Sequence, residues 1–413
     1  MLDIAASLLV LTALLMFVNA RWLRLPATIG LMVTSMALSL ALVGLDALGL
    51  AGALHAREAA FVGAIDFSEL LMQGMLSLLL FAGALHVDVR SLREYGWQVA
   101  LLAFAGTAAS TALVGGALWW VLGAVGLAVP LLDCLLFGAL ISPTDPIAVI
   151  GMLKSAGAPR NLETVIAGES LFNDGVGVVI FTLLLGMRLD GATPTVGHAG
   201  ALLLQEAGGG LAFGWVLGRV TLALLRGVDD HRVEVVLTLA AVVGGYALAN
   251  SLHCSGPLAM VVTGLVVGGA APAERPGRTS QQLREFWELL DELLNAVLFV
   301  LVGMEVVAIR FPVAPSQALL AGAATIVVAL AARWLTVGLP VAAFRRAFRL
   351  PAGSAAILTW GGLRGGISLA LALALPAGPH RETLIALTYC VVAFAILVQG
   401  LSFGRLVRRL PGS

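Results

Sequence analysis

The chain has 413 residues, 60% of them apolar and only 12% charged, with a formal net charge of zero and a mean hydropathy of +1.00. Such a composition excludes an ordinary soluble globule. Apolar stretches near the roughly 20 residues needed to span a bilayer recur along the whole sequence, which leaves no room for a soluble domain.

Spans are expected near 3–20, 26–45, 68–87, 97–122, 127–151, 162–185, 198–225, 233–252, 256–271, 286–309, 315–340, 352–375 and 382–404, making an all-α polytopic membrane protein of thirteen transmembrane helices. The first stretch lacks a preceding basic region and a following small-residue cleavage site, so it reads as a retained span rather than a signal peptide. Cys134, Cys254 and Cys390 are scattered through apolar stretches at no metal-binding spacing and read as small core residues.

The even charge balance hides an asymmetry. With the N-terminus outside, the cytoplasmic loops and C-terminal tail hold Arg21, Arg24, Arg90, Arg93, Lys154, Arg160, Arg226, Arg232, Arg275, Arg278, Arg284, Arg345, Arg346, Arg349, Arg405, Arg408 and Arg409. The outer face keeps Arg57, Arg188, Arg310 and Arg381, a positive-inside bias that one missed span would degrade. Spans one to six and eight to thirteen then form two inverted six-helix repeats joined by the seventh.

The fifth span of each half carries helix-breaking sequence, Ser142-Pro143-Thr144-Asp145-Pro146 in span 5 and Gly361-Gly362-Leu363-Arg364-Gly365-Gly366 in span 12. Matching interruptions in inverted repeats point to discontinuous helices crossing at a midplane binding site, the arrangement of secondary transporters. Unrelated proline and glycine kinks are the plainer alternative, since membrane helices tolerate them.

An ionisable group at the centre of a span costs about 2.5 to 3.5 kcal/mol to insert and so signals function. Asp145, Glu169, Asp174, Arg333 and Arg364 are the candidates. Ser170, Asn173 and Asp174 share one face of the sixth span, where their oxygens can form half of a cage for a hard monovalent cation. The unwound Thr144–Asp145 segment can supply the rest. Glu169 needs a cation or a proton; Arg333 is the favoured partner and Arg364 the alternative, unless Arg333 snorkels toward the cytoplasm. Asp145 and Arg364 suit the opposed helix ends of a crossing, a carboxylate for N-termini and a guanidinium for C-termini.

Asp174 is then the deep acid without an assigned basic partner, and proton and cation compete for it. Glu285, Glu288, Asp291 and Glu292 begin the tenth span as a cytoplasmic funnel or a solvated helix start. His55, His86, His198, His231, His253 and His380 lie in loops or near span ends and read as ordinary exposed histidines, with a pH-sensing role as the alternative.

These residues resemble the monovalent cation:proton antiporter-1 family of prokaryotic sodium/proton antiporters and animal sodium/proton exchangers. The likeness covers nearly the whole chain: Leu80 to Leu85, Ser142 to Pro146, Gly168 to Gly175, Gly361 to Gly366 and Ile396 to Leu401. It implies exchange of sodium, or potassium or lithium, for protons in a bacterial inner membrane, in the service of pH homeostasis, by a homodimer that needs no cofactor and binds no nucleic acid. Residues 1–96 and 233–312 would form a dimerisation scaffold, 97–185 and 313–404 a mobile elevator core, and 186–232 a connecting span. Within the family pattern Asp174 carries the ion, Asn173 and Ser170 assist, Thr144 with Asp145 completes the site, and Glu169 pairs with Arg333. An Asn-Asp pair at 173–174 goes with electroneutral, one-for-one exchange. Ala82 stands where many members carry a third-span glutamate, which leaves sodium against potassium open, and the long regulatory tail of the animal exchangers is not expected. A passive cation channel is the competing reading; an enzyme is disfavoured because no His-Glu-x-x-His pair or nucleophile elbow occurs in any span.

Overall fold

Inside a bilayer the backbone has no water to bond, so each segment must satisfy its own amides and carbonyls. Every regular element among the described residues is accordingly helical. The computed structural model describes residues 2–49, 61, 65, 67–155, 158–190, 196–274, 278–305 and 314–408. Arg57, Arg275, Arg310, Arg409 and His55, and the boundary expected at 312–313, lie outside the described residues.

In chain order the helices are α1 (Leu2–Val18), α2 (Ala27–Ala47), α3 (Phe67–Leu85), α4 (Val89–Glu94), α5 (Gly96–Ala124), α6 (Leu131–Ile141) and α7 (Ile147–Ser155). They continue with α8 (Arg160–Asp190), α9 (Val196–Arg226), α10 (His231–Ser251), α11 (Gly256–Glu274), α12 (Arg278–Met304) and α13 (Ser316–Ala343). The last are α14 (Arg345–Phe348), α15 (Ser354–Trp360), α16 (Gly366–Leu373) and α17 (Arg381–Val407). Among the described residues π-helical stretches at Leu70–Met75, Leu101–Gly106, Trp334–Gly338 and Ala395–Gly400 widen α3, α5, α13 and α17 from within, and another, Asn19–Leu23, closes the first span before left-handed Arg24. Among the described residues nine helices are long and apolar enough to cross a membrane.

Short helix starts at the surface are capped by acids. Asp88 accepts the Arg90 amide at 3.0 Å and the Ser91 hydroxyl at 2.8 Å, and the Ser91 hydroxyl first, then the Arg90 amide, hold its carboxyl below the ordinary range. Asp230 caps α10 in the same way through the Arg232 amide at 2.9 Å.

The interior packs α3 against α11 and α12. Trp287 of α12 is fully buried, stands 4.7 Å from the Phe81 ring and donates to the Thr238 hydroxyl of α10 at 3.1 Å. Outward-facing Trp119, Trp120, Leu204 and Leu319 are exposed instead, as expected where the surrounding medium is lipid rather than water. α12 differs from the other long helices. Its first half carries Arg284, Glu285, Glu288, Asp291 and Glu292, so it begins at Arg278, before the point at which the hydropathy rises. Of these residues Asp291, at the middle of the helix, reaches the site.

Candidate functional site

Both expected helix breaks are present. α6 and α7 are separated by Ser142 to Pro146, and α15 and α16 by Gly361 to Gly365. A break strands backbone groups that cannot stay unpaired in hydrocarbon. The two breaks solve this together. Asp145 donates its amide to the Leu363 carbonyl at 2.8 Å, and Arg364, 3% exposed, donates Nη1 to the carbonyls of Pro143 at 2.8 Å and of Ser142. The carbonyls at the end of α15 are met from outside the break: Leu358 by Arg333 Nε at 3.2 Å and Trp360 by Gln399 Nε2 at 2.9 Å.

Two glycines make these approaches possible. A Cβ on Gly362 would lie 2.6 Å from Arg333 Nε, and one on Gly365 would lie 2.6 Å from Asp145 Oδ2. The Asp145 carboxylate therefore sits against the start of α16, where helical amides are open and a negative charge is favoured.

Glu169 and Arg333 form a two-pronged buried pair, Nη1 to Oε1 at 2.6 Å and Nη2 to Oε2 at 2.8 Å. They are 1% and 6% exposed, so the charges meet each other rather than solvent. Of the two partners open for Glu169 in the sequence, Arg333 stands beside it, while Arg364 is engaged with the break. Asn173 extends the pair: its Nδ2 donates to Glu169 Oε1 and to Thr144 Oγ1, both at 2.9 Å, and its Oδ1 accepts the Thr144 amide at 3.2 Å. Thr144 Oγ1 and Ser170 Oγ share a further hydrogen bond at 3.0 Å.

Asp174 turns elsewhere. Successive helical residues differ by about 100°, so Asp174 leaves the face on which Asn173 meets Glu169. It lines a cavity of about 90 Å³ together with Asp145, Asp291, Asn295 and Ser368. Its carboxylate is 7% exposed and has no hydrogen-bond or ion-pair partner among the described residues. Thr144, Ser170 and Asn173 are not among the cavity-lining residues; they form the layer behind it.

The sequence marked Asp291 as part of a funnel or a solvated helix start and gave no notice of Asn295, Ser368 and Gln399. Asn295 follows Asp291 by four positions on a helix, and Gln399 is a lone amide in an apolar run; both signals were available.

A family profile described as "Sodium/hydrogen exchanger, transmembrane" matches residues 7–409. The chain is 50% identical over 419 residues to the Na(+)/H(+) antiporter NhaP of Pseudomonas aeruginosa, covering 99% of this chain and 97% of that protein. It is 34% identical to the Na(+)/H(+) antiporter NhaH of Halobacillus dabanensis over 83% of this chain and 84% of the relative. Among solved structures it resembles the sodium proton antiporter MjNhaP1 of Methanocaldococcus jannaschii at pH 8, with a TM-score of 0.76 at 20% identity, covering 99% of this chain and 98% of the other. At that identity the likeness concerns the fold alone.

Replacing Glu169 by Ala strands a buried guanidinium and should destabilise the protein by about 3 to 5 kcal/mol. Detergent melting of Glu169→Ala, Arg333→Ala and the double variant should show strong coupling; additive losses would mean that the pair is not a brace. Gly362→Ala should push Arg333 off its geometry at a cost of about 1 to 3 kcal/mol. Gly404→Ala, where a Cβ meets nothing within 4 Å, is the matched control and should melt like the parent.

Proposed function

The chain belongs to the sodium/hydrogen exchanger family, and from that premise we propose that it exchanges sodium for protons across a membrane, one for one, with Asp174 as the carrier of either ion. The observation that carries this reading is the contrast between two neighbouring buried acids. Glu169 has both oxygens bound to Arg333, whereas Asp174 faces a cavity with no protein partner among the described residues.

A carboxylate in that position is neutralised by a proton or by a cation, and either one displaces the other. Competition of this kind needs no further machinery to couple the two flows. Asp145 is the second carboxylate at the cavity, and Thr144, Ser170 and Asn173 are the oxygen-bearing groups immediately behind it, a donor set suited to a hard monovalent cation. Glu169 with Arg333 braces this layer, and Asp145 with Arg364 balances the opposed helix ends at the breaks. With Asp174 as the one acid of the core that trades a proton for a cation in each cycle, each cation is answered by one proton, and transport is electroneutral.

The same reading includes thirteen spans in two inverted six-helix repeats, with the N-terminus outside and the C-terminus cytoplasmic, in a bacterial inner membrane. The position of each break in the fifth span of its half supports it. Residues 97–185 and 313–404 act as a mobile core against a scaffold of 1–96 and 233–312, with 186–232 connecting them. In favour of that division, the cavity is lined from both parts, by residues 79–83 and 291–298 of the scaffold and by 143–146, 171–174 and 365–368 of the core. An elevator needs its ion site at such a boundary, and the same reading has the protein work as a homodimer. A preference for potassium is the alternative, because the third helix brings only Leu79, Leu80 and Gly83 to the cavity and Ala82 adds no acid.

In proteoliposomes a sodium gradient should drive proton movement, and Asp174→Asn should abolish it in a protein that still folds, since the amide keeps the shape and loses the exchangeable charge. Sodium-driven proton flux retained in that variant removes Asp174 as carrier. Potassium and lithium gradients in the same assay decide the preferred cation, and cation leakage without proton movement would mean a channel. Imposing a membrane potential should leave the exchange rate unchanged; a steep response would mean unequal charges in the two directions.

A further inference from the structure

The Asp174 cavity has a neighbour. A second and more open cavity of about 460 Å³ lies between the junction of α1 and α2, at Pro26 and Thr28, the end of α7, at Gly151 and Met152, and the polar half of α12. It lies near Arg21, Arg24 and Lys154 in the chain, on the face assigned above to the cytoplasm. Two residues line both cavities, Asp291 and Asn295. Among the described residues no lysine, arginine or histidine lines either one.

We infer that Asp291 and Asn295 form a threshold that receives the cation from the cytoplasmic vestibule and passes it to Asp174. This rests on the exchange reading given above and adds a residue-level entry step to it. The chemistry is that of a weak oxygen site. Asp291 is partly buried and brings a carboxylate to a passage lined by no basic group among the described residues, where such a charge concentrates cations. Asn295 is 3% exposed, and its Nδ2 donates to the Asp291 carbonyl at 2.8 Å. Its Oδ1 accepts no hydrogen bond among the described residues and is left for a partly dehydrated ion.

Among the described residues no three acidic, histidine or cysteine side chains come close enough together to hold one metal ion. Asp291 is therefore not a third ligand in one cage with Asp174 and Asp145. It also comes from the other part of the proposed division. Asp291 and Asn295 belong to the proposed scaffold and Asp174 to the proposed core, so they are neighbours only while the site faces the vestibule. A threshold of this kind acts from one side of the membrane.

The test is sodium-driven proton flux in vesicles of both orientations, with Asp291→Asn, Asn295→Ala and Asp291→Glu beside the wild type. Asp291→Asn and Asn295→Ala should raise the apparent KM for sodium about tenfold at the vestibule face, the lower end of what focusing by local charge produces. Their kcat should stay within about twofold and the KM at the opposite face should not move, while Asp291→Glu restores most of the affinity. Equal changes at both faces, a loss of kcat with KM unchanged, or no change at all would overturn the threshold. A wild-type protein without sodium-driven proton flux would instead overturn the exchange reading, and the threshold with it. Detergent melting of each variant separates misfolding from lost affinity, and a rescue by Asp291→Glu cannot come from a structural role of the amide-sized side chain alone.

Discussion

Backbone that leaves a helix inside hydrocarbon must find partners there, and this requirement organises the centre of the protein. Breaking α6 from α7 and α15 from α16 frees carbonyls and amides where water is scarce. An arginine side chain is the economical answer, because one planar group presents several donors and remains charged under all ordinary conditions. Arg364 closes the first break and Arg333 reaches the second. Asp145 ties the two backbones directly. The breaks are thus parts of one structure, and neither would be stable without the other.

Meeting the backbone with guanidinium groups brings positive charge into the membrane, and that charge needs its own compensation. Glu169 neutralises Arg333 with both oxygens. Asp145 stands beside Gly365, at the opening of α16, where the helix end adds to the attraction. Glu169 is thus taken up by Arg333 and Asp145 stands at a helix opening, while Asp174 is left facing the cavity. Function is what remains after the fold has satisfied itself.

Much of this was legible in the sequence because broken helices and buried charges are rare in membrane spans and therefore stand out. Ser142 to Pro146 and Gly361 to Gly366 marked the breaks, and Glu169, Arg333 and Arg364 were visible as charges in apolar surroundings. The division of labour around α8 was less legible. Ser170, Asn173 and Asp174 share a broad helical face, but which part of it looks into the cavity depends on how α8 is rotated against α3 and the breaks. The start of α12 was obscured because its polar first half lowers the hydropathy from which spans are recognised. Neutral amides such as Asn295 and Gln399 carry no charge to draw notice, although their positions are as constrained as those of the acids. The π-helical stretches left no simple sequence signal either. One of them holds Gln399 where it can reach the Trp360 carbonyl, and another begins directly after Arg333.

Asn173 links the structural layer to the stoichiometry. Its carboxamide gives hydrogen bonds to both Glu169 and Thr144 and receives one from the Thr144 amide. A group in that place must donate and accept at once, and an ionised carboxylate only accepts. An aspartate at 173 would face Glu169 with like charge, lose both donated bonds and compete for Arg333, unless it kept a proton. The amide therefore links the Glu169–Arg333 brace to the first break, and in the proposed exchange it also adds no second acid beside Asp174. On this view electroneutral exchange is not set at the cavity alone. It follows from the way the brace behind the cavity is hydrogen-bonded, and a change of stoichiometry would require that layer to be rebuilt as well as the site it supports.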